Sequence, residues 1–289
     1  MPLDVALATC VTLPEPDVDL APLLEALRLA GIATEALGWD DPASEERFAG
    51  ARLTILRSTW NYSLRPADFL AWVDRVAARS RMHNAPATIR WNTHKSYLLD
   101  LEARGVPVVP THLVRRGAQA SLTDVLRERG WSEVVVKPAV SGGSRETIRV
   151  GRSDVDRGEA HLRSLTTRED ALVQPYLASV EGPGERAIVW IDGAPTHAVR
   201  KSPRFLGDAE SVSAAVPIAP DEASLAERAV AAAEASTGSL LYARVDVARD
   251  ERGDPRIMEL ELVEPSLFFA QAPHALARYV AAVKARLTG

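Results

Sequence analysis

The chain has 289 residues, 46% hydrophobic and 25% charged, with 34 Lys plus Arg against 39 Asp plus Glu and a net charge of −5. That mix supports one large buried core or two to three smaller ones and excludes a disordered, collagen-like or low-complexity chain. Mild acidity without a basic tract argues against a nucleic-acid partner, and no apolar run approaches the ~18 residues of a membrane-spanning helix.

The opening residues, MPLDVALATCVTLPEPDVD, carry early acids and no basic stretch, so no secretory signal is expected. The single cysteine, Cys10, forbids an internal disulfide and suits a reducing cytosol, so a cytoplasmic protein is expected. An apolar strand is predicted at Leu3–Ala8 and a helix from about Leu20 to Ala30, closed by Gly31. Strands follow at Ala33–Leu37 and Leu53–Leu56, then a helix from Pro66 to Arg79 with apolar spacing at Phe69, Val73 and Val76. This alternation points to a small parallel α/β unit. A connection around Pro86 leads to a helix predicted over Asn92–Arg104. The middle of the chain reads as a compact α+β unit. It has strands at His112–Val114, Glu133–Lys137, Thr147–Val150 and Ala171–Tyr176, and helices at Leu122–Arg129 and Asp154–Leu165. The last third is richer in antiparallel strands. Asp192-Gly193 and Asp250–Gly253 are hairpin signals, and helices fill Asp221–Ala235 and Pro273–Leu287.

Several chemistries lack their signatures. There is no P-loop, no GxGxxG, no GxSxG, no kinase signature, and no CxxC or HExxH that would suggest zinc. Two positive signals remain. Lys137 ends the apolar run Val134-Val135-Val136 and precedes Ser141-Gly142-Gly143-Ser144. A lysine at the end of a buried strand calls for an anion, and a small-residue loop exposes backbone N–H groups that cover phosphates. The same residues also suit a plain hairpin with a surface lysine. The second signal is Arg244-Val245-Asp246 followed, after a turn, by Glu259-Leu260-Glu261. Alternation puts each charged pair on one strand face, and pairing of the strands brings three carboxylates and a guanidinium together. Such a group suits Mg²⁺ bridging to phosphates, while a solvated hairpin face is the bland alternative.

Taken in order, Lys95, Lys137 with its glycine loop, Gln174-Pro175-Tyr176-Leu177, Arg244-Val245-Asp246 and Glu259-Leu260-Glu261 resemble the ATP-grasp superfamily. The branch that they resemble is that of glutathione synthetase and the ribosomal-protein-modifying glutamate ligases. Arg57-Ser58-Thr59-Trp60-Asn61-Tyr62 and Trp91-Asn92-Thr93-His94-Lys95 also resemble the cyclo-ligases that form cycloserine from O-ureidoserine. The resemblance implies an α/β fold in three units. These are a parallel α/β pre-ATP-grasp domain (1–86), a central lid domain (87–176) and a mainly antiparallel C-terminal domain (177–289). It implies ATP and two Mg²⁺, and an activated acylphosphate attacked by a nitrogen. It further implies Lys95 and Lys137 on the phosphates, Ser141, Gly142, Gly143 and Ser144 as a closing loop, and Gln174, Pro175, Tyr176 and Leu177 beside adenine. Glu181 or Glu185 would take the ribose, Arg244 the transferred phosphoryl group and the oxyanion, and Asp246, Glu259 and Glu261 the metal ions. The family's Glu-x-Asn is Glu259-Leu260-Glu261 here, which adds one negative charge. Relatives in this family are often dimers, so a homodimer is one expectation.

For an amino-acid-type substrate the candidates are Arg57 at a strand end, Trp60, Tyr62, Lys201, Arg204 and Ser266. A solvated loop is the alternative for Lys201 and Arg204, and packing is the alternative for the aromatic rings. Three functions compete at this point. They are an intramolecular carboxylate–nitrogen ligase, an intermolecular ligase making dipeptides or modifying peptides, and a nucleotide-binding regulatory module without turnover.

Overall fold

The computed structural model describes residues 3–202 and 211–288, and its strands form three four-stranded sheets. The first is parallel, in the order β2-β1-β3-β4, from β1 (Val5–Thr9), β2 (Thr34–Gly38), β3 (Leu53–Ser58) and β4 (Arg81–His83). Helices α1 (Leu20–Leu29), α2 (Glu45–Ala49) and α3 (Pro66–Ala77) connect them. β1 and β3 are buried nearly throughout, as unbroken apolar runs in a parallel sheet should be. The loops after β1 and β3 emerge at the strands' C-terminal ends, where such sheets open a crevice. The short α2 and β4 lie outside the predicted elements, because five and three residues are too few for a periodic signal.

The helix predicted over Asn92–Arg104 is in fact two, α4 (Pro86–Thr93) and α5 (Tyr97–Ala103). Pro86 opens α4 at a position that needs no N–H donor, and His94 breaks the helix with an extended backbone. Lys95 sits in that break, its N–H bonded to the Ala139 carbonyl at 2.8 Å.

The central sheet is antiparallel, in the order β5-β8-β6-β7, from β5 (His112–Val114), β6 (Glu133–Pro138), β7 (Ile148–Gly151) and β8 (Ala171–Pro175). Helices α6 (Leu122–Arg129) and α7 (Val155–Thr166) cover one of its faces. β6 alternates, so Val134 and Val136 enter that core while Val135 and Lys137 face the other way.

The third sheet runs β10-β9-β11-β12, all antiparallel, from β9 (Glu185–Ile191), β10 (Ala194–Lys201), β11 (Tyr242–Arg249) and β12 (Pro255–Glu261). Asp192 and Gly193 join β9 to β10 with φ of 46° and 85°, the two left-handed residues of a tight hairpin turn. Helix α8 (Pro220–Thr237) covers one face, and α9 (Pro273–Thr288) packs on the other together with α1. One core therefore holds Val5 and Leu27 of the first unit beside Ile191 and Tyr279 of the third, fixing the first and third sheets against each other. Among the described residues, no helix is long and apolar enough to cross a membrane.

Candidate active site

The strand pair β11–β12 sets the chemistry. Arg244 lies opposite Glu261 and Asp246 opposite Glu259, so the alternation read in the sequence puts all four on one sheet face. Glu185 of β9 and Lys201 of β10 are also register partners and join this group. Among the described residues no further strand covers the outer edge of β12; backbone bonds from Pro107 and Val109 cover it at Ile257, and side chains close it beyond. Asn92 Nδ2 donates to the Leu260 carbonyl and Asn92 Oδ1 accepts from the Leu262 N–H, both at 2.7 Å. The Tyr97 hydroxyl accepts from the Leu260 N–H at 3.0 Å, and Asn84 Nδ2 donates to the Leu262 carbonyl at 2.8 Å. These bonds hold Glu259 and Glu261 in place, since a one-residue slip would turn both to the opposite face.

A cavity of about 740 Å³ opens between the sheets. Lys95, Lys137, the loop Ser141–Ser144, the strand end Gln174–Leu177, Glu185, Lys201, Arg244, Glu259 and Glu261 all line it. Trp60, Tyr62 and Ser266 line it as well. Residues as far apart in sequence as Trp60 and Ser266 thus meet in one space.

The charges within it are mostly paired. Lys95 Nζ donates to the Ser141 carbonyl at 2.6 Å and meets Glu259 Oε1 at 2.8 Å. Arg244 grips Asp246 with two bonds of 2.9 Å and also pairs with Glu261. Lys201 Nζ lies 2.7 Å from Glu185 and 2.9 Å from Asp246. Burial opposes the Asp246 charge, but Arg244 and Lys201 outweigh it and hold the carboxyl far below the usual range. Glu261 moves the other way, because burial and the nearby Glu259 and Asp246 outweigh Arg244. Burial also raises Glu264, whose carboxyl takes a hydrogen bond from the Tyr62 hydroxyl. Lys137 makes no hydrogen bond or ion pair among the described residues, and burial together with Lys95 and Lys201 lowers its proton affinity. Glu259 and Glu185 offset part of that effect from a distance, and the ammonium faces the cavity without an ion pair of its own among the described residues.

The loop after β6 takes a left-handed backbone at Gly143 (58°), Ser144 (57°) and Glu146 (49°). Its Arg145 is tied to Glu169 at 3.0 and 3.1 Å and to the Val140 carbonyl at 2.9 Å. At the strand end, Gln174 Nε2 donates to Thr111 Oγ1 at 2.9 Å.

Three of the residues predicted from the sequence are placed elsewhere, and a fourth is not described. Arg57 is 1% exposed and does not line the cavity. Its guanidinium is engaged by Asp17 (3.2 Å), Asp19 (3.4 Å) and the Pro265 carbonyl (2.8 Å). It is therefore a strut inside the protein and not a substrate clamp. The Asp19 carboxylate in turn accepts the N–H groups of Leu267, Phe268 and Phe269, so this pair ties the loop after β1 to the segment after β12. Glu181 lies outside the cavity, held by the Tyr176 hydroxyl at 2.8 Å and by Arg149, which leaves Glu185 as the lining acid of the two ribose candidates. Asp246 is fully buried behind the cavity wall, with both oxygens taken by Arg244 and Lys201. Arg204 lies outside the described residues.

Among the described residues, no three His, Cys, Asp or Glu side chains converge as a metal cage. The expected trio is therefore a pair, Glu259 and Glu261, facing the cavity. Two hard oxygen donors still fit Mg²⁺, which keeps several waters and takes its remaining ligands from substrate phosphates. Asp246 could join them only by releasing Lys201 or Arg244. The sequence reading passed over Asn84, Asn92 as a strand clamp, and Glu264. The one available signal for Asn92 was its place in the Trp91–Lys95 motif.

Comparison with known proteins agrees with this geometry. A family described as "D-cycloserine synthetase DcsG, N-terminal domain" matches residues 5–84. The cycloserine biosynthesis protein DcsG of Streptomyces lavendulae is 35% identical over 285 residues, covering 94% of each chain. The crystal structure of D-cycloserine synthetase DcsG superposes with a TM-score of 0.91 at 33% identity, over 98% of this chain and 99% of that one. The ATP-grasp ligase PsnB, solved with a minimal precursor, shares the fold at a TM-score of 0.67 and 16% identity, over 99% of this chain and 100% of that one. The chain belongs to the DcsG family of ATP-grasp ligases.

Proposed function

We propose that this ATP-dependent carboxylate–amine ligase closes a ring within one small amino-acid-type molecule, converting an O-ureidoserine to a cycloserine. The observation that supports this reading is the reach of the likeness. It runs through residues 5–84, the unit whose Trp60 and Tyr62 line the cavity, and not only through the nucleotide-handling strands.

In this reading Lys95 and Lys137 hold the ATP phosphates and the loop Ser141–Ser144 closes over them. Lys137 needs no rearrangement to do so, whereas Lys95 exchanges Glu259 for phosphate. The strand end Gln174–Leu177 receives adenine and Glu185 receives the ribose. Two Mg²⁺ ions, held by Glu259 and Glu261 with Asp246 behind them, would neutralise phosphate charge when bound. The substrate carboxylate attacks the γ-phosphorus, ADP leaves, and an acylphosphate forms. Positioning and charge neutralisation supply most of the rate. The oxygen-linked nitrogen of the ureido group then attacks the acyl carbon, Arg244 faces the oxyanion that develops, and phosphate departs; water then cleaves the carbamoyl group from the ring nitrogen, and it leaves as carbamate and breaks down to carbon dioxide and ammonia. The acylphosphate is open to hydrolysis, so loop closure has to exclude water. The three-unit division at residues 86 and 176 follows from this assignment, with the middle unit as the moving lid.

Phosphate release from ATP with O-ureidoserine as the sole second substrate tests the reading. One equivalent of phosphate per ring closed, with no second amino acid, is the expected result. A requirement for an added amine would replace ring closure by intermolecular ligation, and nucleotide binding without turnover would leave a regulatory module.

A further inference from the structure

Among the glutamates that line the cavity, Glu264 is set apart by the two aromatic residues that clamp it. The three glutamates on the third sheet each face a cation: Glu185 meets Lys201, Glu259 meets Lys95 and Glu261 meets Arg244. Glu264 lines the same cavity, is 9% exposed, and makes no ion pair among the described residues. It is nevertheless held at both ends. Trp60 Nε1 donates to its main-chain carbonyl at 3.0 Å, and the Tyr62 hydroxyl donates to its carboxyl. Both aromatic residues come from the segment after β3. Lys95 and Arg244 act on this carboxyl without pairing with it, and once phosphate and the substrate carboxylate engage those cations, an acid fixed beside them repels both anions unless it faces a positive group of the substrate.

We infer that Glu264, fixed by Tyr62 and Trp60, binds the α-ammonium of the amino-acid-type substrate and sets the preference for substrates that carry one. This rests on the ligase reading above and names the chemistry of its substrate pocket. The arrangement orients the molecule, with its ammonium at Glu264 and its carboxylate toward Arg244 and the γ-phosphate. It also protects the reaction. A free α-amine is a nucleophile that competes for the acylphosphate, and a carboxylate beside it holds the proton on. Only the nitrogen meant to close the ring is then free to attack. Tyr62 and Trp60 are positioning residues, acting through Glu264.

The test compares O-ureidoserine with the same molecule lacking its α-amino group, following ATP-dependent phosphate release by the full chain. A hydrogen bond between charged groups predicts a preference of about 10- to 100-fold in KM for the amino compound in the wild type. Glu264→Gln should raise KM for the amino compound by that factor and leave KM for the desamino compound unchanged. Tyr62→Phe keeps the charge and loosens its placement, and should reduce the preference by about 3-fold. Should Glu264→Gln not fold, the Tyr62→Phe ratio decides alone. Retained preference in the variants, an equal KM rise for both compounds, or a fall in kcat at constant KM would overturn the assignment. Wild-type turnover with those results leaves the ligase reading standing, whereas wild-type silence with O-ureidoserine overturns both.

Discussion

Replacing Lys137 by Met should separate stability from function. In the free protein the Lys137 ammonium lies in the cavity wall near Lys95 and Lys201, and Glu259 and Glu185 only partly offset its burial, with no ion pair among the described residues. A buried charge without a partner is destabilising, so an apolar chain of similar length should stabilise the free protein by about 1–2 kcal/mol. At this chain length that raises Tm by roughly 2–6 °C. Nucleotide binding should move the opposite way. Loss of a charge-assisted bond to phosphate costs about 1.5–3 kcal/mol, roughly 10- to 150-fold in Kd. The pH dependence supplies a second check. Burial puts the proton affinity of Lys137 below its ordinary value of 10.5, so the unfolded chain holds that proton more tightly. Wild-type stability should therefore gain from Lys137 as pH rises through the lowered value toward 10.5, and Lys137→Met should lack that gain. Thermal melts across pH, with calorimetric titration of Mg·ADP, measure both effects. A variant that melts lower and binds nucleotide as tightly as wild type would refute the reasoning.

Other changes test the rest of the site. Asn92→Ala removes two bonds to the edge of β12 and leaves the Leu260 carbonyl and Leu262 N–H without them. A loss of about 2–4 kcal/mol in urea denaturation, with reduced turnover, is expected; unchanged stability would mean the clamp does not hold the strand. Glu259→Gln removes a cavity-facing oxygen donor and should raise the Mg²⁺ concentration for half-maximal activity at least 10-fold; an unchanged Mg²⁺ dependence would remove Glu259 from the ligand set. Burial, with His274 acting the same way, pushes His197 down to about 4. Its stabilising contribution is complete above its ordinary value of 6.5 and is lost as pH falls through about 4, by about 3 kcal/mol in all. His197→Gln should flatten part of the acid-side fall in Tm, while His83, also lowered to about 4, and lowered carboxyls such as Asp246 keep the rest of it. A Tm profile parallel to that of the wild type would contradict this.

The readable parts of the chain were those in which local chemistry and tertiary role coincide. Arg244, Asp246, Glu259 and Glu261 obey a two-residue period, and a short turn brings their strands together, so their common face was legible. Asp192-Gly193 announced a turn whose two residues both need left-handed backbone. Lys137 was legible because an ammonium at the end of an apolar run demands an explanation. The misread parts depend on partners far away in sequence. Arg57 stands at a strand end as a substrate clamp would, but Asp17 and Asp19 reach it from another loop. The break at His94–Ser96 was hidden because apolar spacing resumes at Leu98 and Leu101. Asp246 reads as a third acid beside Glu259 and Glu261, and only the packing shows Lys201 and Arg244 occupying its oxygens. Asn84 and Asn92 are polar residues whose value lies in the strand edge they close, which no local pattern announces.

The central claim is that the lysines and acids of this cavity direct a substrate carboxylate onto the γ-phosphate of ATP before a nitrogen closes the ring. Oxygen-18 in the carboxylate of O-ureidoserine reports this directly. After turnover, mass spectrometry of the released phosphate should find one labelled oxygen per ring closed. Unlabelled phosphate, with the ring still formed, would contradict the account.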